Sequence, residues 1–207
     1  MLFIGITGGV GAGKSEILKY LSEQYSCRVM LADEIAHDLM EPGTACYEKI
    51  SELFERDAVF CEDGTIDRPK MAAVLFSDAQ KREALNEIVH PAVKQYVIEE
   101  MEKERAADRL TLLVLEAALL IEEDYGAICD ELWYIYTSEE NRRIRLKENR
   151  GYSDEKIDNI FRSQLSEKTF REHCIEVIDN NGVPRDAFVQ IDRLAEKKGL
   201  RKKETVS

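Results

Sequence analysis

The feature that most constrains this chain is a glycine-rich segment that directly follows a short apolar run. Leu2–Thr7 is long enough for one buried strand, and Gly8–Ser15 reads GGVGAGKS, which matches the pattern G-x-x-x-x-G-K-[ST] in full. Ile17, Leu18 and Leu21 then recur at helical spacing. A strand, a glycine loop and a helix in this order form a phosphate-binding loop. The glycines let backbone N–H groups converge on a polyphosphate, and the helix adds its positive end.

The residue types in this loop predict individual roles. Lys14 is expected to reach the terminal phosphates, and the Ser15 hydroxyl is expected to ligate Mg²⁺. The predicted triphosphate-binding residues are Gly9, Val10, Gly11, Ala12, Gly13, Lys14, Ser15 and Glu16. An accidental glycine turn would rarely place all the defining residues between a strand and a helix, and the dinucleotide fingerprint G-x-G-x-x-G does not fit these glycines. We therefore expect a nucleoside triphosphate site.

The composition argues against several kinds of binding partner. The 207 residues include 29 Lys and Arg against 41 Asp and Glu, and the net charge of −12 argues against nonspecific binding of nucleic acid or membranes. The longest apolar run, residues 110–121, is too short to span a bilayer. The five cysteines are scattered without a C-x-x-C pair, which is typical of free thiols in a reducing cytoplasm. Because a triphosphate is an anion, Mg²⁺ and a local basic cluster are expected at its site.

A carboxylate follows the second predicted strand. Cys27–Leu31 reads as that strand, and Asp33 comes two residues later. Ligands of open parallel α/β sheets gather at the carboxyl ends of strands, so Asp33 would share an edge with the phosphate loop. Asp33 also fits the N-cap of a helix over Glu34–Met40. The spacing alone favours neither interpretation.

Residues 41–108 interrupt the alternation of strands and helices. The predicted helices are Ala45–Arg56, Pro69–Phe76, Asp78–Val89 and Pro91–Glu104. Pro69 and Pro91 fit first-turn positions, and the proline after His90 would hold that residue out of the helical region at a helix entrance. We predict an inserted helical domain that holds a second substrate.

A third apolar run ends in an acid. Thr111–Glu116 predicts a central parallel strand with both faces buried. P-loop proteins place an acid at such a strand end to orient Mg²⁺ or its waters. The alternative, a simple surface acid, fits a position directly after buried residues less well.

The segment between the last two predicted strands, Glu131–Tyr136 and Cys174–Asp179, is rich in basic residues. They are Arg142, Arg143, Arg145, Lys147, Arg150, Arg162 and Lys168, with Gln164 among them. One interpretation is a solvated helix whose charges pair with nearby glutamates. The other is a lid, because P-loop kinases use arginines in such a segment to neutralise the transferring phosphoryl group. We expect two or three of these residues to be functional.

The phosphate loop is compatible with two classes of nucleotide-binding protein, a nucleotide-dependent switch and a small-molecule kinase. A GTPase needs an N-K-x-D motif, which the sequence lacks, and its D-x-x-G element occurs only at Asp179–Gly182, on the last strand. A module that binds without turnover is harder to exclude, because the loop by itself establishes affinity and not catalysis. The helical insertion and the basic segment favour phosphoryl transfer to a bound acceptor.

Five segments, in order, resemble the dephospho-CoA kinase family. They are GITGGVGAGKS, LADEIAHDLMEPG, DGTIDRPKMAAVLF, REALNEIVHP and VIDNNG, and they cover nearly the whole chain. The A-D-x-I-A, D-G-x-x-D-R and H-P elements are more specific than the loop. The resemblance implies transfer of the ATP γ-phosphoryl group to the ribose 3′-hydroxyl of dephospho-CoA, the last step of coenzyme A synthesis, with Mg²⁺ as cofactor.

The resemblance also implies roles for residues at matching positions. Asp33 is expected to accept the 3′-hydroxyl proton or to orient that hydroxyl. Arg68 and His90 are expected to bind the acceptor. Asn181 lies in the segment that holds the adenine end of ATP. Glu116 is expected to orient the metal that Ser15 ligates.

The sequence departs from the family pattern at several positions. The family usually has threonine at Glu16, aspartate at Glu116 and proline at Ala118. In the lid, the expected arginines fall at Asn149 and Ile160. A kinase of another nucleotide-like acceptor, or an ATP-binding relative with impaired turnover, therefore stays open.

The lid departures leave the choice of catalytic arginine open. Arg150 is the first choice, beside Lys14, for stabilising transition-state charge, and Arg145 and Arg162 are the alternatives.

These patterns predict an α/β fold, namely a P-loop kinase core whose five-stranded, mostly parallel sheet is flanked by helices. The core is expected over residues 1–40, 109–140 and 173–200, the helical acceptor domain over 41–108, and a helical lid over 141–172. We expect a cytoplasmic enzyme, a monomer or small homo-oligomer, that binds ATP and dephospho-CoA but neither nucleic acid nor membrane.

Overall fold

The structure, a computed structural model, describes residues 1–203. Strands and helices alternate at both ends of this range, and helices fill its middle. The strands are β1 Leu2–Thr7, β2 Cys27–Leu31, β3 Leu112–Glu116, β4 Glu131–Tyr136 and β5 Glu176–Asp179. The α-helices are α1 Lys14–Gln24, α2 Ala32–Leu39, α3 Ala45–Leu53, α4 Arg68–Ser77, α5 Ala79–Ala107, α6 Glu139–Arg150, α7 Asp154–Ser163, α8 Glu167–His173 and α9 Pro184–Lys197.

The five strands form one sheet in the order β2-β3-β1-β4-β5. The predicted fold class is confirmed. The sequence predicts a mostly parallel sheet, and the observed sheet is parallel throughout. Apart from half-buried Leu2, the apolar side chains of β1 and β3 are buried, as their sequences predict. Ile6 is paired with Glu116 in the β1–β3 register, which brings the end of β3 beside the point where β1 enters the glycine loop.

The chain divides into two compact units. One unit is Met1–Met30 together with the chain from Met101 onward, and it carries helices α1 and α6 to α9 and the sheet apart from Leu31 at the end of β2. The other is Leu31–Glu100, which carries helices α2 to α4 and most of α5. Buried residues of this second unit include Ile50, Phe54 and Val59. The domain and lid ranges from the sequence stay predictions.

The helix after β2 begins earlier than the sequence suggested. Leu31 occupies the N-cap position with an extended backbone, and Asp33 lies inside the first turn of α2. The interpretation of Asp33 as the capping residue is therefore wrong. Because β2 passes into α2 without an intervening loop, the chain becomes helical before Asp33. Its carboxylate still favours the helix, since it lies near the positive end of the helix dipole.

Pro91 lies inside a helix instead of starting one. α5 is continuous over Ala79–Ala107, so the predicted helix entrance at His90 is wrong. Every fourth residue along one face of α5 is buried, namely Leu85, Val89, Val93, Val97 and Met101. Packing of this stripe outweighs the roughly 3 kcal/mol that an interior proline costs. Within the described residues, no helix is both long enough and apolar enough to cross a membrane.

Candidate nucleotide-binding site

The glycine loop connects the centre of the sheet to the N-terminus of α1. Gly13 is the N-cap of α1 with φ of 86°, a left-handed conformation that glycine adopts without strain. A Cβ at this position would lie 2.4 Å from Nδ2 of Asn180. Among the described residues no side chain caps α1. The first N–H groups of the helix are therefore available to an anion.

The loop lysine is folded back over its own loop. Lys14 Nζ donates a hydrogen bond to the Gly8 carbonyl at 2.8 Å and lies 3.4 Å from Oε1 of Glu116. The Lys14 side chain is 17% exposed, and its unbranched stem allows the ammonium group to exchange these partners for phosphate oxygens. Lys14 and Glu116, predicted as phosphate-binding and metal-orienting residues, are thus in direct contact.

The Ala12 carbonyl is held by three donors, two that directly follow β4 and β5 and one from helix α6. Asn180 Nδ2 lies 2.8 Å from this oxygen, Thr137 Oγ1 3.1 Å and Arg145 Nη1 3.4 Å. Thr137 and Asn180 are each 4% exposed. Because a carbonyl oxygen has two lone pairs, the two shorter contacts are the principal ones. Buried side chains thus fix the second half of the loop against the sheet.

Asn181 is held beside the N-terminus of α6. Its Oδ1 accepts hydrogen bonds from the backbone N–H of Ser138 at 2.8 Å and from Nδ2 of Asn141 at 2.9 Å. The β4–β5 register, which pairs Tyr136 with Asp179, brings these residues together. The adenine-binding role expected for Asn181 stays a prediction.

Two residues of the basic segment lie against the first half of the loop. Arg142 Nη1 donates to Oε1 of Gln164 at 3.1 Å, and the same oxygen accepts the backbone N–H of Val10 at 3.3 Å. The Arg142 guanidinium also stacks on the Phe161 ring, 4.2 Å from its centre. A Cβ on Gly9 would lie 1.4 Å from Arg142 Nη1, so the guanidinium occupies the space directly over Gly9.

The sequence did not single out Arg142 or Gln164 as site residues. Arg142 and Arg145 are three residues apart, which places both on one face of a helix, and this spacing was the available signal. Burial lowers the pKa of the Arg142 guanidinium below its ordinary value, although arginine remains charged at neutral pH.

The other candidate arginines lie elsewhere in the basic segment. Arg150 is the exposed last residue of α6, with its guanidinium 6.0 Å from the centre of the Tyr152 ring. Arg162 is exposed on α7 and bonds to Oδ1 of Asn159. In the described part of the chain, Arg142 and Arg145 are the arginines that contact the loop. The catalytic role of Arg150 stays a prediction.

The remaining predicted residues belong to the unit Leu31–Glu100. Asp33 is exposed in the first turn of α2, and His90 is half-buried in mid-helix. Arg68 begins α4, where Asp67 is the N-cap, and its Nη2 lies 3.5 Å from Oε1 of Glu41. Their catalytic and acceptor-binding roles stay predictions.

The oxygen donors at the end of the sheet fit a hard cation that arrives with phosphate. Within residues 1–203 there is no group of three or more His, Cys, Asp or Glu side chains that could hold a metal ion. Mg²⁺ characteristically takes only one or two protein oxygens and completes its shell with phosphate and water. The Ser15 hydroxyl and the Glu116 carboxylate, the residues predicted to hold the metal, would supply two such oxygens, and this role stays a prediction.

The fold is shared with solved structures, two of which are named as kinases. A crystal structure from Thermus thermophilus superposes with a TM-score of 0.76 at 28% identity, covering 95% of this chain and 97% of that one. A Campylobacter jejuni dephospho-CoA kinase gives a TM-score of 0.69 at 19% identity, covering 94% of this chain and 98% of that one. An Acinetobacter baumannii shikimate kinase gives 0.53 at 16% identity, covering 97% and 96%. The last two show the fold alone.

Sequence comparison identifies the family. The Bacillus licheniformis dephospho-CoA kinase is 36% identical over 196 residues, which cover 93% of this chain and 94% of that protein. The Oceanobacillus iheyensis dephospho-CoA kinase is 33% identical over 196 residues, covering 95% and 97%. The family model described as dephospho-CoA kinase matches residues 2–186. The chain therefore belongs to the dephospho-CoA kinase family.

Proposed function

We propose that this kinase transfers the γ-phosphoryl group of ATP to the ribose 3′-hydroxyl of dephospho-CoA and produces coenzyme A and ADP. The observation that carries the proposal is the braced phosphate loop before the uncapped helix α1, in a chain whose residues 2–186 match the family model. The predicted cytoplasmic location and the monomeric or small oligomeric state remain predictions.

The loop supplies binding and charge stabilisation. The uncapped N–H groups of α1 face an anion at the positive end of the helix. Lys14 exchanges the Gly8 carbonyl and Glu116 for the terminal phosphates, where its charge opposes the negative charge that develops during transfer. This exchange also frees Glu116 for a second partner.

We propose Mg²⁺ as the divalent metal, held by the Ser15 hydroxyl and oriented by Glu116. When bound with the nucleotide, it would neutralise charge on the transferring group. Glu116 is supported in this role by its position at the end of β3, paired with Ile6.

The transfer itself needs an acceptor for one proton. The 3′-oxygen bonds to the γ-phosphorus while the bond from that phosphorus to the β–γ bridging oxygen breaks, and ADP leaves with the electron pair. We propose that Asp33 accepts the hydroxyl proton. Its exposed carboxylate, directly after β2 and without a capping function, supports this role. Arg68 and His90 are proposed to bind dephospho-CoA.

The deciding experiment compares phosphoryl acceptors. Purified protein with Mg²⁺ and ATP is supplied with dephospho-CoA or, in parallel, with nucleoside monophosphates, and ADP and phosphorylated product are measured. We expect product from dephospho-CoA only. Turnover of a monophosphate without turnover of dephospho-CoA would assign a different acceptor. ATP binding without turnover of any acceptor would indicate a relative with impaired catalysis.

Asp33→Asn tests the proposed base. The change removes the charge at constant size, so kcat should fall by about 10²–10⁴-fold while stability changes by less than about 1 kcal/mol. Steady-state kinetics and thermal unfolding measure both effects. Asp38→Asn, an exposed change on the same helix, is the control and should leave kcat unchanged. Near-normal turnover of Asp33→Asn would remove Asp33 from the mechanism.

A further inference from the structure

Arg142 carries a buried charge that has no role in the phosphoryl transfer proposed above. Its residue is 8% exposed, and no carboxylate of the described residues lies within ion-pair distance of it. Among the described residues its Nε is the buried side-chain nitrogen or oxygen without a hydrogen-bond partner. A buried guanidinium is costly when its donors are unmatched by an anion. One bond to Gln164 and the Phe161 ring satisfy it only in part.

The Arg142 guanidinium lies at the Gly8–Gly9 end of the loop, where the terminal phosphate of ATP is expected to bind. Lys14, whose ammonium is expected on the terminal phosphates, contacts the Gly8 carbonyl. Arg142 lies over Gly9, the next residue, and Gln164 accepts the N–H of Val10. The Ala12 end, by contrast, is occupied by Thr137, Asn180 and Arg145.

We propose that Arg142 is a catalytic lid arginine that binds the γ-phosphoryl group and makes the site prefer ATP to ADP. Its planar guanidinium offers Nε and Nη donors in a fork that matches two phosphate oxygens. The γ-phosphoryl group then replaces Gln164 as the partner of Nη1 and satisfies Nε. The catalytic part of this inference rests on the proposed function, whereas the preference for ATP does not depend on the acceptor.

The proposal also accounts for two departures of the lid. The positions at which the family resemblance expects arginine carry Asn149 and Ile160. Arg142 supplies a guanidinium from the loop-facing side of α6 instead. Gly9 is then required because any larger residue would occupy the space of that guanidinium.

The test compares ATP with ADP. Arg142→Met, Arg142→Lys and the control Lys147→Met are titrated with Mg²⁺-ATP and Mg²⁺-ADP in the absence of acceptor, and kcat is measured with dephospho-CoA. Lys147 is a half-exposed cation on the same helix, paired with Asp154, and its loss should change nothing. For Arg142→Met we expect ATP affinity to fall about tenfold and ADP affinity to stay within about twofold. We expect kcat to fall on the order of 10²–10³-fold.

Other results of these titrations would contradict the role of Arg142. Equal changes in ATP and ADP affinity, or no change, would overturn the proposal by making Arg142 a structural residue. If Arg142→Met does not fold, Arg142→Lys decides, because it keeps the charge and loses the fork. Its ATP affinity should fall at least about threefold at unchanged ADP affinity, and wild-type ATP affinity would overturn the proposal. If dephospho-CoA is not the acceptor, kcat with it is zero throughout, yet the ATP and ADP titrations still discriminate.

Discussion

The two ends of the phosphate loop are held by different kinds of partner. At the Ala12 end, Thr137 and Asn180 are buried, follow directly on β4 and β5, and bond to the loop carbonyl. At the Gly9 end, Arg142 and Gln164 reach the loop from helices of the basic segment. The first end is fixed by the sheet, and the second is covered by side chains whose bonds to the loop are few.

This difference suits the two ends to two functions, phosphate binding at the fixed end and exchange of side-chain partners at the covered end. A rigid end presents backbone N–H groups to phosphate without reorganisation, which is the basis of electrostatic preorganisation. An end covered by long polar side chains can change partners when a phosphoryl group arrives and leaves. Substitutions at the fixed end should therefore alter folding and nucleotide binding together, whereas substitutions at the covered end should alter turnover with little effect on stability.

Gly13→Ala should have the largest effect. The new alanine would have to keep φ of 86°, and its Cβ would lie 2.4 Å from Asn180 Nδ2. Backbone strain and loss of the hydrogen bond from Asn180 to the Ala12 carbonyl therefore act together. We expect about 2–4 kcal/mol less stability and ATP affinity reduced more than about tenfold. Urea unfolding and ATP titration measure both. Gly43→Ala, with φ of 95° and nothing within 4 Å, is the matched control and should show only strain. Equal effects of the two changes would show that contact with Asn180 does not matter.

The loop and the sheet were predictable because their signals are local. The bounds of β1, β2 and β4 are those that the sequence predicts, since each is a mainly apolar run bounded by turn residues or a helix start. The glycine loop follows from its own spacing. By contrast, continuity of α5 through Pro91 depends on a buried stripe that is visible only after packing. The start of α2 at Ala32 depends on how β2 ends.

The arrangement of the lid arginines could not be predicted for a related reason. Arg142, Arg150 and Arg162 look alike in the sequence. Which of them touches the loop depends on where each lies relative to the sheet: Arg142 is near the start of α6, just after β4, which pairs with β1, whereas Arg150 ends α6 and Arg162 lies on α7. Long-range register of this kind is absent from local spacing.

Asn180→Ala should have an intermediate effect at the fixed end. The change leaves Thr137 as the remaining short contact of the Ala12 carbonyl and should cost about 1–3 kcal/mol of stability. ATP affinity should fall by a smaller factor than in Gly13→Ala, because the backbone of the loop is unstrained. Chemical unfolding and ATP titration measure both effects. Asn86→Ala, an exposed change on α5, serves as the control. Wild-type stability of Asn180→Ala would contradict a fixed end.

Gln164→Ala, at the end of the loop covered by Arg142 and Gln164, should have the smallest effect on stability. Gln164 makes one bond of 3.3 Å to Val10 and one of 3.1 Å to Arg142, so its loss should cost less than about 1.5 kcal/mol. Because Arg142 then loses the partner that orients it, kcat should fall about tenfold while ADP affinity is unchanged. Kinetics and ADP titration on one preparation measure both. A loss of ADP affinity as large as the loss of kcat would mean that Gln164 holds the loop in the same way as Asn180, and the two ends would then not differ in kind.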